Sequence, residues 1–96
     1  MNARNARLKG NRNEHRTMAI FEASGYYCIR SSLSAGIFDV VGIGKTDIVL
    51  IQVKTRDWPS SADVEAIQAF CAPPNTRKLL HRYRDRVSLP DVKEIT

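Results

Sequence analysis

Long apolar runs are missing from this sequence. No stretch approaches the ~18 apolar residues that span a bilayer as a helix, so no membrane partner is expected. The first residues are polar and basic, with no apolar core of a leader, and no signal peptide is expected. Cysteine is scarce. Cys28 and Cys71 lack metal-ligand spacing and sit in apolar stretches, which reads as two buried free thiols in a cytoplasmic protein. His15 and His81 also lack ligand spacing, so a histidine-based metal centre is disfavoured. Internal repeats and low-complexity segments are absent too, which excludes solenoids and disordered tracts. Acidic residues are outnumbered, with 15 Lys and Arg against 10 Asp and Glu, and the excess of +5 implies a polyanionic partner.

What is present is a globular chain of 96 residues, enough for one domain with a modest core. Much of the basic charge is clustered. Arg4, Arg7, Lys9 and Arg12 precede the first acid, while Arg77, Lys78, Arg82, Arg84 and Arg86 share ten positions with Asp85 alone. Residues 1–11 have few apolar anchors and read as a flexible basic arm, leaving residues 12–96 as the domain.

The spacing predicts a helix over 13–24, with Met18, Ile20 and Phe21 as its apolar stripe and Gly25 as its stop. Glu14 stands at i, i+4 and i+7 with Met18 and Phe21, so a carboxylate opens the inward face and needs a partner. Residues 26–30 read as a short strand, and 31–36 as a Ser-rich loop. Two apolar runs, 36–43 and 47–55, flank a turn centred on Lys45 and Thr46, which sets Asp39 opposite Gln52. On the second run Ile48, Leu50, Gln52 and Lys54 share one face, and Val49, Ile51 and Val53 the other. Both faces are apolar until the far end, so two polar groups sit at the edge of a covered strand. A second helix is expected over 61–71, capped by Ser60 or Ser61 and ended by Pro73 and Pro74. A strand follows over 77–87, with an edge turn or short strand near the end. The order is α-β-β-β-α-β, an α/β domain with a small mixed sheet flanked by helices.

Phosphodiester hydrolysis needs an activated water, charge neutralisation on the phosphate and stabilisation of the leaving oxygen. Mg²⁺ held by hard oxygen ligands supplies most of this. Asp39 offers a carboxylate, Gln52 an amide oxygen and Val53 a carbonyl, while Glu14 can close the site from the helix. Lys54, two residues beyond Gln52 on the same face, can stabilise developing negative charge.

Four pieces occur in order: Arg12-Asn13-Glu14, then Gly25-Tyr26 with Ile29-Arg30-Ser31, then Ser34-Ala35-Gly36-Ile37-Phe38-Asp39, then Gln52-Val53-Lys54. Together they resemble the PD-(D/E)XK nucleases, and within them the archaeal Holliday junction resolvases and their phage relatives. The resemblance implies a restriction-endonuclease-like fold and a homodimer that cuts branched DNA in recombination and repair. It implies that Glu14, Asp39 and Gln52 bind Mg²⁺ or Mn²⁺, that Lys54 is catalytic, and that Ser34 lies near the substrate phosphate. Arg4, Arg7, Lys9, Arg12, Arg30 and Arg56 are the expected DNA contacts. Gln52 departs from the Glu usual in that family, which weakens expected metal affinity. Two alternatives therefore stand: a related nuclease acting on linear or flapped DNA in repair or restriction, and a degenerate module that binds DNA structure without cutting.

Overall fold

A computed structural model describes residues 3–31 and 36–96, with side chains from residue 11 onward. Two helices and five strands follow in the order α1 (Ala3–Ala23), β1 (Tyr27–Arg30), β2 (Val40–Ile43), β3 (Ile48–Thr55), α2 (Ser61–Ala69), β4 (Thr76–Tyr83) and β5 (Asp91–Ile95). The strands form one sheet in sequential order; β3 and β4 run parallel and every other pair antiparallel. The expected α/β architecture is present, with β5 as the added edge strand.

The end of α1 is a Schellman motif. Gly25 adopts φ 92°, its N–H donates to the Glu22 carbonyl, and the Tyr26 N–H donates to the Phe21 carbonyl. Phe21 and Tyr26 then meet edge to face at 5.3 Å, the apolar contact that accompanies this cap. From this closure the chain turns into β1 beneath the helix. The hairpin turn lies where the sequence places it, with the Gly44 N–H donating to Asp47 across Lys45 and Thr46. Gly42 is required by space: a Cβ there would stand 2.6 Å from a Val49 methyl.

Val40, Val49, Ile51 and Leu79 form the core under α1, packed by Met18, Phe21, Tyr26, Cys28 and Val53. The opposite face carries Leu50 and Leu80, and α2 buries its Ile67 completely. Ser60 caps α2 through the Asp63 N–H. At its other end the Lys78 ammonium donates to the carbonyls of Ile67, Gln68 and Phe70, satisfying the carbonyls that a helix end leaves open.

Several expectations are corrected. The first helix begins at Ala3 and not near residue 13, so a helical backbone runs through the segment read as an arm. That stretch is rich in Ala, Arg and Lys, which favour helix without giving an apolar stripe. The second helix stops at Ala69, and Cys71 is exposed in the loop beyond it; Cys28 is half-buried, and both thiols are free. The strand predicted over 77–87 ends at Tyr83, because Arg84–Val87 forms a turn, with Arg86 at φ 65°. Among the described residues no helix is long and apolar enough to cross a membrane.

Candidate active site

The site arises from unequal strand lengths. β2 begins at Val40, which faces Ile51, so the last residues of β3 have no strand neighbour on that side. Asp39 stands in the bend just before β2, where its N–H donates to the Ile51 carbonyl at 2.9 Å. An unpaired buried N–H is costly, and the Asp39 side chain supplies the missing acceptor: its Oδ2 takes the Val53 N–H at 2.8 Å. Because the N–H and C=O of a strand residue face the same neighbour, the Val53 carbonyl is turned toward Asp39 as well.

Asp39 is thus fixed by one carboxylate oxygen, and the other has no hydrogen-bond partner among the described residues. Burial pushes its pKa up, opposed by the Val53 N–H and the positive charge of Lys54. Gln52 donates from Nε2 to the Ile37 carbonyl at 3.2 Å, pinning the entry to β2. Phe38 meets Phe70 at 5.2 Å and ties the same segment to the end of α2. The Gln52 Oε1 is buried and has no hydrogen-bond partner among the described residues. Burying an amide acceptor without a partner costs on the order of 1–3 kcal/mol.

Glu14 reaches the same corner from α1. Arg30, at the end of β1, is the partner its burial demands: Nη1 donates to Glu14 Oε1 at 3.1 Å and to Asn11 Oδ1 at 3.1 Å. Burial still raises the Glu14 pKa; Arg30 opposes the rise and the nearby charge of Asp39 adds to it. Neighbouring Asn13 is buried and donates to the Thr55 hydroxyl at 3.0 Å, fastening α1 to the tip of β3. The Lys54 ammonium makes no hydrogen bond or ion pair among the described residues, though its charge reaches Asp39.

Glu14, Asp39, Gln52, Val53 and Lys54 therefore share one corner of the fold, where β3 outruns β2. Their chemistry fits a hard divalent cation: two half-buried carboxylates with raised pKa values, one carbonyl and one orphaned amide oxygen. With Gln at position 52, no group of three His, Cys, Asp or Glu that could hold a metal occurs among the described residues.

Other expected residues fall elsewhere. Ser34 lies outside the described residues, as do the side chains of Arg4, Arg7 and Lys9. Arg30 is engaged with Glu14, and Arg56 pairs with Asp85 at 3.2 Å. Arg12 lines an open groove considered below. Tyr83 is buried, and Trp58 is stacked by Arg82 at 4.5 Å and Lys93 at 4.4 Å. Sequence reasoning missed Arg30 as the Glu14 partner and Asn13 as the strut to Thr55. The signal for Arg30 was the uncompensated Glu14 itself.

No family model matches the sequence, and neither does any curated protein. Among solved structures, the chain is similar to Hjc of the archaeal hyperthermophile Archaeoglobus fulgidus, a Holliday junction resolvase. The TM-score is 0.70 at 22% identity, covering 91% of this chain and 73% of that one. The two chains accordingly share a fold.

Proposed function

We propose that this protein is a divalent-metal-dependent endonuclease that hydrolyses phosphodiester bonds in branched DNA, in the manner of a Holliday junction resolvase. The observation that carries the proposal is the cluster of under-satisfied oxygens at the tip of β3, beside a lysine without an ion-pair partner, in a resolvase-like fold. Mg²⁺ or Mn²⁺ fits this donor set, with Glu14, Asp39, Gln52 and the Val53 carbonyl as the holding groups. A bound divalent ion supplies neutralisation of phosphate charge and a more acidic water. The chain's own residues do the rest. The Val53 N–H fixes Asp39, and Arg30 fixes Glu14, so both carboxylates are oriented before substrate arrives. Lys54 places positive charge where negative charge develops on the phosphate.

The homodimer belongs to the same proposal. Tyr27, Ile29 and Ile43 are exposed apolar residues on the outer strand β1 and its neighbour β2, with Tyr27 directly opposite Ile43. This edge supports pairing of two copies about a two-fold axis, whereas β4 buries Leu79, Leu80 and Tyr83 within the chain.

The test is a labelled four-way junction, a flap and a linear duplex, each incubated with Mg²⁺ and either wild type or Asp39→Asn. Junction cleavage by wild type alone is expected. Preferential cutting of flap or linear DNA transfers the chain to another nuclease class. Gln52 favours one further reading, a module that binds without cutting. Tight junction binding with no cleavage, unrescued by Gln52→Glu, establishes that alternative.

A further inference from the structure

Beyond the corner at Glu14 and Asp39, the same end of the sheet holds an open groove of about 530 Å³ between α1 and the β4–β5 turn. Arg12 and Arg16, one helical turn apart on α1, line one side, and Arg84 and Arg86 line the other. Four guanidinium groups face one carboxylate, Asp85, which is already engaged with Arg56. Arg84 reaches Asp91 at 3.2 Å, and Arg16 donates to the Asn13 amide oxygen. Among the described residues Arg12, Arg16 and Arg86 have no carboxylate partner. Arg86 also stands at φ 65°, in the left-handed region that costs a long side chain energy. The turn thus holds a strained residue whose cation projects from an already positive concavity.

The groove and the active-site corner are built on neighbouring residues of α1 and β3. Thr55, which lines it, follows Lys54 on β3, and Asn13, which lines it and bonds Thr55, precedes Glu14 on α1. Guanidinium groups suit phosphodiester oxygens because their planar fork donates two parallel hydrogen bonds.

We propose that Arg12, Arg16, Arg84 and Arg86 form a phosphate-backbone subsite that holds the DNA strand beside the bond to be cut. This rests on the nuclease reading for its substrate. It adds Arg16, which the sequence did not single out, and sets Arg84 and Arg86 of the basic cluster in one groove with Arg12. The contacts act on phosphates, so they position DNA without reading bases.

The experiment is equilibrium binding of a fluorescein-labelled DNA duplex to the full chain in EDTA, across a KCl series. Wild type is compared with Arg16→Gln/Arg86→Gly. Glycine accepts φ 65° freely and glutamine keeps a donor for Asn13, so the double variant is expected to fold, as thermal melting checks. Two lost phosphate contacts lower the slope of log affinity against log salt by about 2 and weaken binding on the order of 30-fold. An unchanged slope, or no DNA binding by wild type, overturns the subsite. Inorganic phosphate is the second probe: competition only at millimolar levels is expected, and micromolar binding overturns the proposal in favour of a free-anion site. A reduced slope together with no cleavage by wild type in Mg²⁺ keeps the subsite and removes the hydrolytic reading instead.

Discussion

Helix α1 contributes to two polar clusters, and they are built on opposite terms. Thr17, three residues after Glu14, is fully buried, and its hydroxyl meets His81 Nδ1 at 3.0 Å and the Tyr83 hydroxyl at 2.8 Å. His81 also stacks on Phe21 at 5.7 Å. This cluster is neutral: burial holds the His81 pKa down at about 4 and pushes Tyr83 up. The Glu14 corner instead gathers carboxylates whose pKa values burial raises and, among the described residues, an amide oxygen with no donor and a lysine with no ion-pair partner. A polar cluster that satisfies itself stabilises a fold. One that does not is completed by something from outside.

The sharpest way to break this comparison is to mutate both clusters. Asp39→Asn is expected to lower junction cleavage by about 1,000-fold or more. Its melting temperature should hold or rise, because a half-buried charge is removed. Thr17→Val should do the reverse, losing about 1–3 kcal/mol of stability in urea unfolding as His81 and Tyr83 lose a shared partner. Its cleavage per folded molecule should stay near wild type. Equal effects of both variants on cleavage would erase the distinction.

Acid gives the next largest effect, and its sign differs between the clusters. The folded pKa of His81 lies near 4, below the unfolded value of 6.5, so between them the unfolded chain binds more protons. Stability from this group is whole above pH 6.5 and falls as pH drops toward 4, by about 3 kcal/mol in total. Asp39 and Glu14 have raised folded pKa values, so their contribution is present at low pH and lost as pH rises through those values. Urea unfolding of wild type and His81→Gln at pH 7 and pH 4.5 separates the two. The variant should lose most of the acid sensitivity.

A smaller effect concerns Gln52. Replacing it by Glu adds a third carboxylate to the corner and should tighten Mg²⁺ binding in calorimetry by roughly tenfold, while lowering stability in EDTA. Unchanged Mg²⁺ affinity would place residue 52 outside the ligand set.

The corner was legible in the sequence because its residues violate local rules. A covered apolar strand ending in Gln52 and Lys54, opposite Asp39, is an anomaly visible without coordinates, and the turn at Lys45 and Thr46 fixes the register. Glu14 was visible for the same reason, as an acid on an inward face. The details that escaped depend on long-range pairing. Arg30 finds Glu14 across 16 residues and Asn13 finds Thr55 across 42. Thr17, His81 and Tyr83 look ordinary in sequence and become a network only when β4 lies parallel to β3 beneath α1. The basic run 82–86 gave a continuous strand by composition, but the chain turns at Arg84, which is what carries Arg86 to the groove.

The central claim is that the Glu14–Asp39–Gln52 corner is completed by a divalent cation, and thermal melting tests it without reference to cleavage. Wild type and Asp39→Asn are melted across a Mg²⁺ series, since a ligand that binds only the folded state raises the melting temperature with concentration. A rise in wild type that is absent or much reduced in Asp39→Asn is expected. No Mg²⁺-dependent rise in wild type, or the same rise in both proteins, would contradict the account.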